Sequence, residues 1–288
     1  MIGPLFVVAR LTAWETVRRR LMIALVVMTL IIIATTGWGY NRLWTATDNG
    51  APIGVVQVRA ITSQVLILMY FVFAGVLALS SVLIAASSIS GDIESGLALS
   101  ILSRPIGRAQ WALGKWLGLA AMTIAYAGGA GWLELLVADF TTGYLPPHPW
   151  QLVGYIGAEG LILLTLALTL STRMAGMTAG IIALVGYFMA WVGGIVSGIG
   201  LALNNAPLTE LGVISRLLLP TDGLWRGAVW TLEPASLLTL GRQAGRAAAA
   251  ADPFMVAEPA SPLFLLWALV WIGVVLLIAI WSLRSREL

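Results

Sequence analysis

Two acidic residues, Glu134 and Glu159, lie inside apolar stretches that are long enough to cross a membrane. An ionised carboxylate near the centre of a bilayer costs about 2.5–3.5 kcal/mol on insertion scales, so such residues usually face a bundle interior or a wet cavity. We expect the two carboxylates to lie at similar depth and to line a translocation path or its outer gate. The structural alternative is that one hydrogen-bonds a neighbouring helix while the other reaches the membrane interface.

A second charged group follows the second apolar stretch. It reads Gly91-Asp92-Ile93-Glu94-Ser95-Gly96, then Leu97–Leu102, then Ser103-Arg104-Pro105-Ile106-Gly107-Arg108. We expect Asp92 to cap a short apolar helix with Glu94 in its first turn, because acidic groups suit a helix N-terminus. Pro105 is expected to end this helix, between Arg104 and Arg108. An exposed apolar helix framed by charges indicates a protein partner; the alternative is a helix folded back onto lipid headgroups.

Residue types exclude several kinds of chemistry. The chain has no cysteine and one histidine, His148, so disulfides, thiolate metal sites and histidine pairs within the chain cannot form. The nearest approach to a phosphate-binding loop joins Gly107 to Gly114-Lys115, but the glycine spacing is wrong and Trp116 replaces the required Ser or Thr. We therefore expect no metal or cofactor on this chain, no ATP bound by that route and no catalytic activity.

The elements that must position these residues are membrane-spanning helices. Of the 288 residues, 59% are hydrophobic and only 10% are charged, whereas soluble domains carry about 25% charged residues. A helix needs about 20 apolar residues to cross the hydrocarbon core, and six stretches meet this length. The sequence therefore predicts an all-α polytopic membrane protein. The predicted spans are about 21–40, 61–90, 112–136, 152–172, 174–197 and 261–283.

Basic residues in the short flanks predict the orientation of these spans. With the N-terminus in the cytoplasm, ten of the sixteen Lys and Arg residues lie inside: Arg10, Arg18, Arg19, Arg20, Arg104, Arg108, Lys115, Arg173, Arg284 and Arg286. Six spans return the C-terminus to the cytoplasm, and the predicted location is the plasma (inner) membrane. Residues 4–20 have helical spacing of apolar and basic residues and predict an amphipathic helix on the inner surface.

The segment 199–260 is too long for a structureless loop in a compact membrane protein. Its first residues, 199–206, are apolar, so the fifth span continues or folds back as a short re-entrant helix, which is tolerated only where protein or water covers its backbone. We interpret 220–226 as a turn at the membrane interface and 241–251 as an Ala-rich helix. No soluble catalytic domain fits in this outer segment.

The loop 91–110 resembles the signature of type-2 ABC transporter permeases, most closely the branch that contains the permease of the nitrous-oxide-reductase maturation complex. The resemblance is carried by Gly91–Gly96, by Leu102–Arg108 and by Gly114-Lys115. The family usually has Gly-Thr where this chain has Gly96-Leu97.

This resemblance implies an amphipathic elbow helix, six spans, a cytoplasmic coupling helix between spans two and three, and re-entrant outer helices between spans five and six. It implies two permease copies, expected to form a homodimer, and two ATPase subunits that hold ATP and Mg²⁺. ATPase closure would rock spans one, two and five and open a path at the dimer interface. The residues that would contact or position the ATPase are Asp92, Glu94, Gly96, Arg104, Pro105 and Arg108.

Three functions follow as hypotheses. The first is the permease subunit of an exporter, with the ATPase, a second permease copy and membrane lipid as partners and with no nucleic acid. The second is a membrane scaffold that transmits ATPase motion to an extracytoplasmic partner. The third is an ATP-independent secondary transporter, although the sequence shows no obvious internal repeat and few intramembrane charges. Drugs, lipids, peptides and cations all remain open as substrates.

Overall fold

Six long helices dominate the protein. The computed structural model describes residues 3–18, 20–48, 51–103, 106–234, 252, 254–256 and 258–286. The helices in chain order are α1 (Gly3–Arg18), α2 (Arg20–Leu43), α3 (Val55–Glu94), α4 (Leu97–Leu102), α5 (Arg108–Thr142), α6 (Pro149–Ser171), α7 (Gly176–Ala202), α8 (Ala206–Leu218), α9 (Thr221–Leu232) and α10 (Pro262–Arg284). Two antiparallel strands of two residues each, β1 (Thr47–Asp48) and β2 (Ala51–Pro52), connect α2 to α3.

The prediction of an all-α polytopic membrane protein is confirmed. Helices α2, α3, α5, α6, α7 and α10 are each long and apolar enough to cross a membrane. Several predicted residues lie outside the described part of the chain: Arg19, Arg104, Pro105, Arg242, Arg246 and the segment 241–251.

Helices α3 and α5 are longer than the spans that the sequence predicts within them. They contain 40 and 35 residues, or about 60 and 52 Å at 1.5 Å per residue, against a hydrocarbon core of about 30 Å. Both must therefore tilt or extend beyond the membrane. The short helix α4 lies in the connection between them, where α3 ends and α5 begins.

Helix α1 packs directly on α5. A Cβ atom added to Gly114 would lie 2.7 Å from Cβ of Val8, and one added to Gly118 would lie 2.4 Å from the carbonyl oxygen of Ala9. This Gly-x-x-x-Gly spacing removes side chains from one face of α5 and lets two helix backbones approach closely. The N-terminal helix is therefore held by helix–helix packing on α5.

The first half of the outer segment folds back on α7. After Ala202 the chain turns at Asn204, whose φ is +50°, and α8 returns along α7. A Cβ atom added to Gly200 would lie 2.6 Å from the amide nitrogen of Thr209 on α8. The fifth span thus continues and is followed by a returning helix. The turn predicted at 220–226 is wrong, because α9 begins at Thr221 and continues to Leu232.

Candidate functional site: the coupling segment and buried charges

The residue Asp92 is tied to the third spanning helix. Its Oδ2 atom lies 2.5 Å from Nζ of Lys115 on α5, and both side chains are largely buried, with 13% and 6% exposure. The same Nζ donates a hydrogen bond of 2.7 Å to the carbonyl oxygen of Ser88 and lies 5.7 Å from the centre of the Trp111 ring. The lysine therefore joins the last turns of α3 to the first turns of α5.

The predicted capping role of Asp92 is wrong. Helix α3 continues through Glu94, so both acidic residues lie at its C-terminal end, where the helix dipole disfavours negative charge. Gly96 precedes α4 with φ +75° and no side-chain cap. The ion pair with Lys115 offsets the unfavourable position of the Asp92 charge at the end of α3. Gly96, in the left-handed conformation, then turns the chain into α4.

Helix α4 presents an apolar surface next to an exposed acid. Leu97 and Leu99 are 48% and 59% exposed, whereas Ala98 between them is buried. Glu94 is also exposed. The segment thus offers two leucines and one carboxylate at the end of the α3–α5 pair. Glu94 ends α3 instead of lying in the first turn of the short helix as predicted, and Gly96 directly precedes α4, while Arg104 and Pro105 lie outside the described residues.

Arg108 binds the end of the last spanning helix. Its Nη1 atom donates to the carbonyl oxygens of Leu283, Arg284 and Arg286 at 3.0, 3.2 and 2.7 Å. The last carbonyls of an α-helix have no partner within the helix, and a cation suits the negative end of its dipole. Arg108 therefore links the segment that follows α4 to the C-terminus of α10.

The C-termini of α6 and α10 are joined by a second group of hydrogen bonds. Hydroxyls of Thr172 and Ser282 lie 2.7 Å apart, and Nε of Arg173 donates to Ser282 at 2.8 Å. Arg286 donates to the carbonyl of Thr172 at 2.5 Å. At this end of the bundle α5 begins and α6 and α10 end, and it is rich in arginine. Its arginines are Arg108, Arg173, Arg284 and Arg286.

The structure does not bring Glu134 and Glu159 together. Helices α5 and α6 are antiparallel: Gly131 faces Val153, and Gly157 faces Ala127. Glu134 is therefore level with residue 150, and Glu159 with residue 125, which separates them by about 13 Å along the helices. The prediction of similar depth is wrong, because α5 extends about two turns beyond the start of α6.

Glu134 lies between α5, α2 and α3. Its side chain is buried, with 6% exposure, and neither carboxylate oxygen has a hydrogen-bond partner among the described residues. The hydroxyl of Tyr40 lies close enough to interact with the carboxylate as a hydrogen-bond donor, although the geometry falls short of a regular hydrogen bond. Tyr70 interacts with it electrostatically while donating its own hydrogen bond to the carbonyl of Gly131 at 2.7 Å.

Glu159 faces the opposite side of the bundle. It is 3% exposed. Tyr187 of α7 lies against its carboxylate, and Asp222 of α9 is near enough to repel it. Its surroundings are therefore a polar cluster between α6, α7 and α9, which differs from the environment of Glu134.

A buried ionic triad lies beside Glu159. Oδ2 of Asp222 is 2.7 Å from Nε of Arg216 and 3.3 Å from Nε of Arg226, and the Asp222 side chain is 1% exposed. Arg226 also donates to the carbonyl of Gly194 on α7 at 3.2 Å. The triad joins α7, α8 and α9. Sequence patterns did not indicate the triad, although Asp222 and Arg226 have the i, i+4 spacing that pairs charges on a helix.

A further acid, Glu233, directly follows the last residue of α9. It is buried, and burial raises its pKa to about 7, although a backbone hydrogen bond from Val256 opposes this shift. Asp252 adds a like charge that raises the pKa further. Tyr144 anchors the same corner by donating to the carbonyl of Leu232 at 2.7 Å.

These features define a polytopic helical membrane protein whose connection between the second and third spans carries an exposed apolar helix. The chain matches the family described as ABC-2 family transporter protein over residues 7–288, and it belongs to that family. It is thus a permease subunit of the ABC type, a membrane transport component of a family whose members in general associate with ABC ATPases. No curated protein matches the chain.

Proposed function

We propose that the chain is the membrane-spanning subunit of an exporter in the plasma membrane, with both termini in the cytoplasm. A separate pair of ATPase subunits holds ATP and Mg²⁺, and two copies of this chain form a homodimer. The resemblance to the nitrous-oxide-reductase maturation branch supports the related role of a scaffold that transmits ATPase motion to an extracytoplasmic partner.

The observation that carries this proposal is the exposed surface of α4. Leu97 and Leu99 are exposed at the end of two long helices, and exposed apolar side chains framed by charge indicate a surface that a partner covers. Glu94 lies beside them and gives the surface a charge that a basic groove can recognise. We assign α4 to the groove of an ATPase subunit.

Two contacts can carry a displacement of α4 into the bundle. The pair of Asp92 with Lys115 joins the end of α3 to α5, so the two helices move together at their base. Arg108 joins the segment after α4 to α10. In this proposal Asp92 and Arg108 position the coupling segment, while Glu94, Leu97 and Leu99 touch the ATPase.

The path itself is assigned to the buried carboxylates. Glu134 faces the side of the bundle where α2 packs on α3 and α5, and it is proposed to line the path. Glu159, held beside the triad that joins α7, α8 and α9, is proposed to belong to the outer gate.

The test is ATPase coupling in the complex purified with its ATPase. Leu99→Asp and Glu94→Lys should each reduce the amount of ATPase that co-purifies, or lower transport per ATP hydrolysed, by about tenfold or more. The matched controls are Leu203→Asp and Glu210→Lys, which alter equally exposed residues of the outer segment. Full coupling in the α4 variants would contradict the proposal.

Transport of a labelled solute into inverted vesicles separates the exporter from the scaffold. ATP-dependent uptake that is lost in Leu99→Asp supports the exporter. ATPase activity that depends on this chain without uptake of any solute supports the scaffold, and solute movement without ATP would support a secondary transporter.

A further inference from the structure

Glu134 is a buried acid with no cationic partner among the described residues, as are Glu159 and Glu233, and it lines a cavity that borders larger apolar cavities. Asp92 pairs with Lys115, and Asp222 pairs with two arginines. No ion pair involves Glu134 among the described residues, and the hydroxyl of Tyr40 beside its carboxylate carries no positive charge. An ionised carboxylate in this position is stable only if something positive neutralises it.

Three of the cavities along α2 border one another, and Glu134 lines the middle one of these. That cavity is narrow, about 20 Å³, which is room for one water molecule. Through Thr29 and Ala130 it borders a cavity of about 360 Å³ between α2 and α5. Through Met69 it borders one of about 310 Å³ between α2 and α3. The carboxylate therefore lies at a constriction between two cavities of ligand size.

The walls of these cavities are aromatic and apolar. The rings of Tyr70 and Phe73 are 6.0 Å apart at an edge-on angle, and those of Phe73 and Tyr126 are 5.5 Å apart. Aromatic faces attract organic cations, and the attraction grows when water is excluded. Small residues, Gly129 and Ala130, keep the space beside α5 open.

We propose that Glu134 is the anionic centre of a binding site for hydrophobic organic cations, formed by α2, α3 and α5. The inference rests on the proposed transport function, because it names the chemical class of the cargo. The larger cavities receive the cation with its hydrophobic groups, the ring of Tyr126 contacts it from the wall of one of them, and Glu134 neutralises its charge across the narrow cavity. A neutral drug or a lipid acyl chain would fill the same cavities but would leave the carboxylate without a partner.

Binding is measured with a pair of probes that have the same shape and opposite charge, tetraphenylphosphonium and tetraphenylborate. Equilibrium binding is recorded on the purified full-length protein in detergent, without ATP. We expect saturable binding of the phosphonium and none of the borate. Equal binding of both ions would overturn the proposal, because a purely apolar groove does not distinguish the sign of the charge.

Glu134→Gln removes the charge and keeps the shape of the side chain. It should weaken phosphonium binding about tenfold or more. The matched control is Asp139→Asn, which removes a half-buried carboxylate five residues further along the same helix and should leave the affinity unchanged. Unchanged affinity in Glu134→Gln, or an equal loss in both variants, would contradict the site.

Ala130→Leu keeps the carboxylate and fills the space that connects two of the cavities. It should lower the affinity several-fold, and it keeps the proposal testable if Glu134→Gln does not fold. Gly128→Leu is its control, since the Cβ position there is open and the residue does not line the described cavities. Equal affinity in both variants would place any bound cation elsewhere.

The inference and the proposed function fail in different measurements. Loss of ATPase coupling in the α4 variants, with phosphonium binding intact, supports the site and the transport role together. Absence of phosphonium binding, with ATPase coupling intact, removes the cation site and leaves the permease role standing.

Discussion

The ion pair near α4 and the triad in the outer segment bury carboxylates in opposite ways. Asp92 meets one lysine from a helix 23 positions away in sequence, whereas Asp222 meets two arginines within six positions. The pair is neutral and joins two long helices at their base. The triad carries an excess positive charge, and Glu159 lies near it. The first arrangement suits a joint that moves as a unit, and the second suits a corner that stays fixed.

The largest expected effect is the loss of Asp222. Asp222→Asn leaves Arg216 and Arg226 close together without their anion, and breaking a buried ion pair costs about 3–5 kcal/mol. We expect a marked fall in the thermal unfolding temperature of the purified protein. Glu210→Gln, an exposed acid on α8, is the control and should change stability by less than about 0.5 kcal/mol. Equal stability of Asp222→Asn and the wild type would show that the triad is not needed to hold the corner.

The inner pair should respond differently because its two charges cancel. Asp92→Asn alone leaves Lys115 buried with only the Ser88 carbonyl, and a loss of about 2–4 kcal/mol is expected. The double variant with Lys115→Met removes both charges and should recover most of that stability. A double-mutant cycle by thermal unfolding measures this recovery, and strict additivity of the two single changes would argue against a direct pair.

Two glycine substitutions compare the space around the two sites without changing a charge. A Cβ atom at Gly194 would lie 2.1 Å from Oδ1 of Asp222, so Gly194→Ala should cost about 1–3 kcal/mol. Gly91, next to Asp92 in α3, has nothing within 4 Å of its Cβ position. Gly91→Ala should therefore be neutral or stabilise the helix by up to about 1 kcal/mol. Similar losses of stability in Gly194→Ala and Gly91→Ala would show that the two sites are packed equally tightly.

The smallest effect is a pH dependence confined to the outer corner. The pKa of Glu233 is raised from 4.5 to about 7, so the folded protein binds a proton more tightly there than the unfolded chain does. Stability from this group is present below pH 4.5 and is lost as the pH rises from 4.5 to about 7. Glu233→Gln should flatten the unfolding temperature over that range. An unchanged slope would assign the pH dependence to other groups.

Sequence patterns predicted the spans well because hydropathy is summed over about twenty residues and tolerates local errors. They also predicted the surface of α4, since Leu97 and Leu99 alternate with small residues between charged ones. They placed the ends of the spans less well. Glu134 and Glu159 were expected at one depth, but depth depends on how far α5 extends past α6, which is set by packing between Gly131 and Val153.

The ionic contacts could be predicted only in part. Asp222 and Arg226 share a helix face, and the pair was missed because Pro220 and Gly223 indicated a turn. Lys115 was considered for a phosphate-binding loop, for the orientation of the spans and for the family resemblance, but its pairing with Asp92 was not predicted. The contacts of Arg108 are with backbone carbonyls about 175 residues away. No local pattern encodes such a partner, because any helix end presents the same carbonyl groups.

The packing of α1 on Gly114 and Gly118 determines when, during synthesis, this helix can reach its native position. Helix α1 leaves the ribosome before α5, and its partner surface on α5 is made about one hundred residues later. At about 5–20 residues per second, roughly 5–20 s pass between the synthesis of α1 and the synthesis of its packing surface on α5. During synthesis it must be sheltered by lipid or by the insertion machinery, and the chain acquires its amino-terminal contact only once the third crossing is in place.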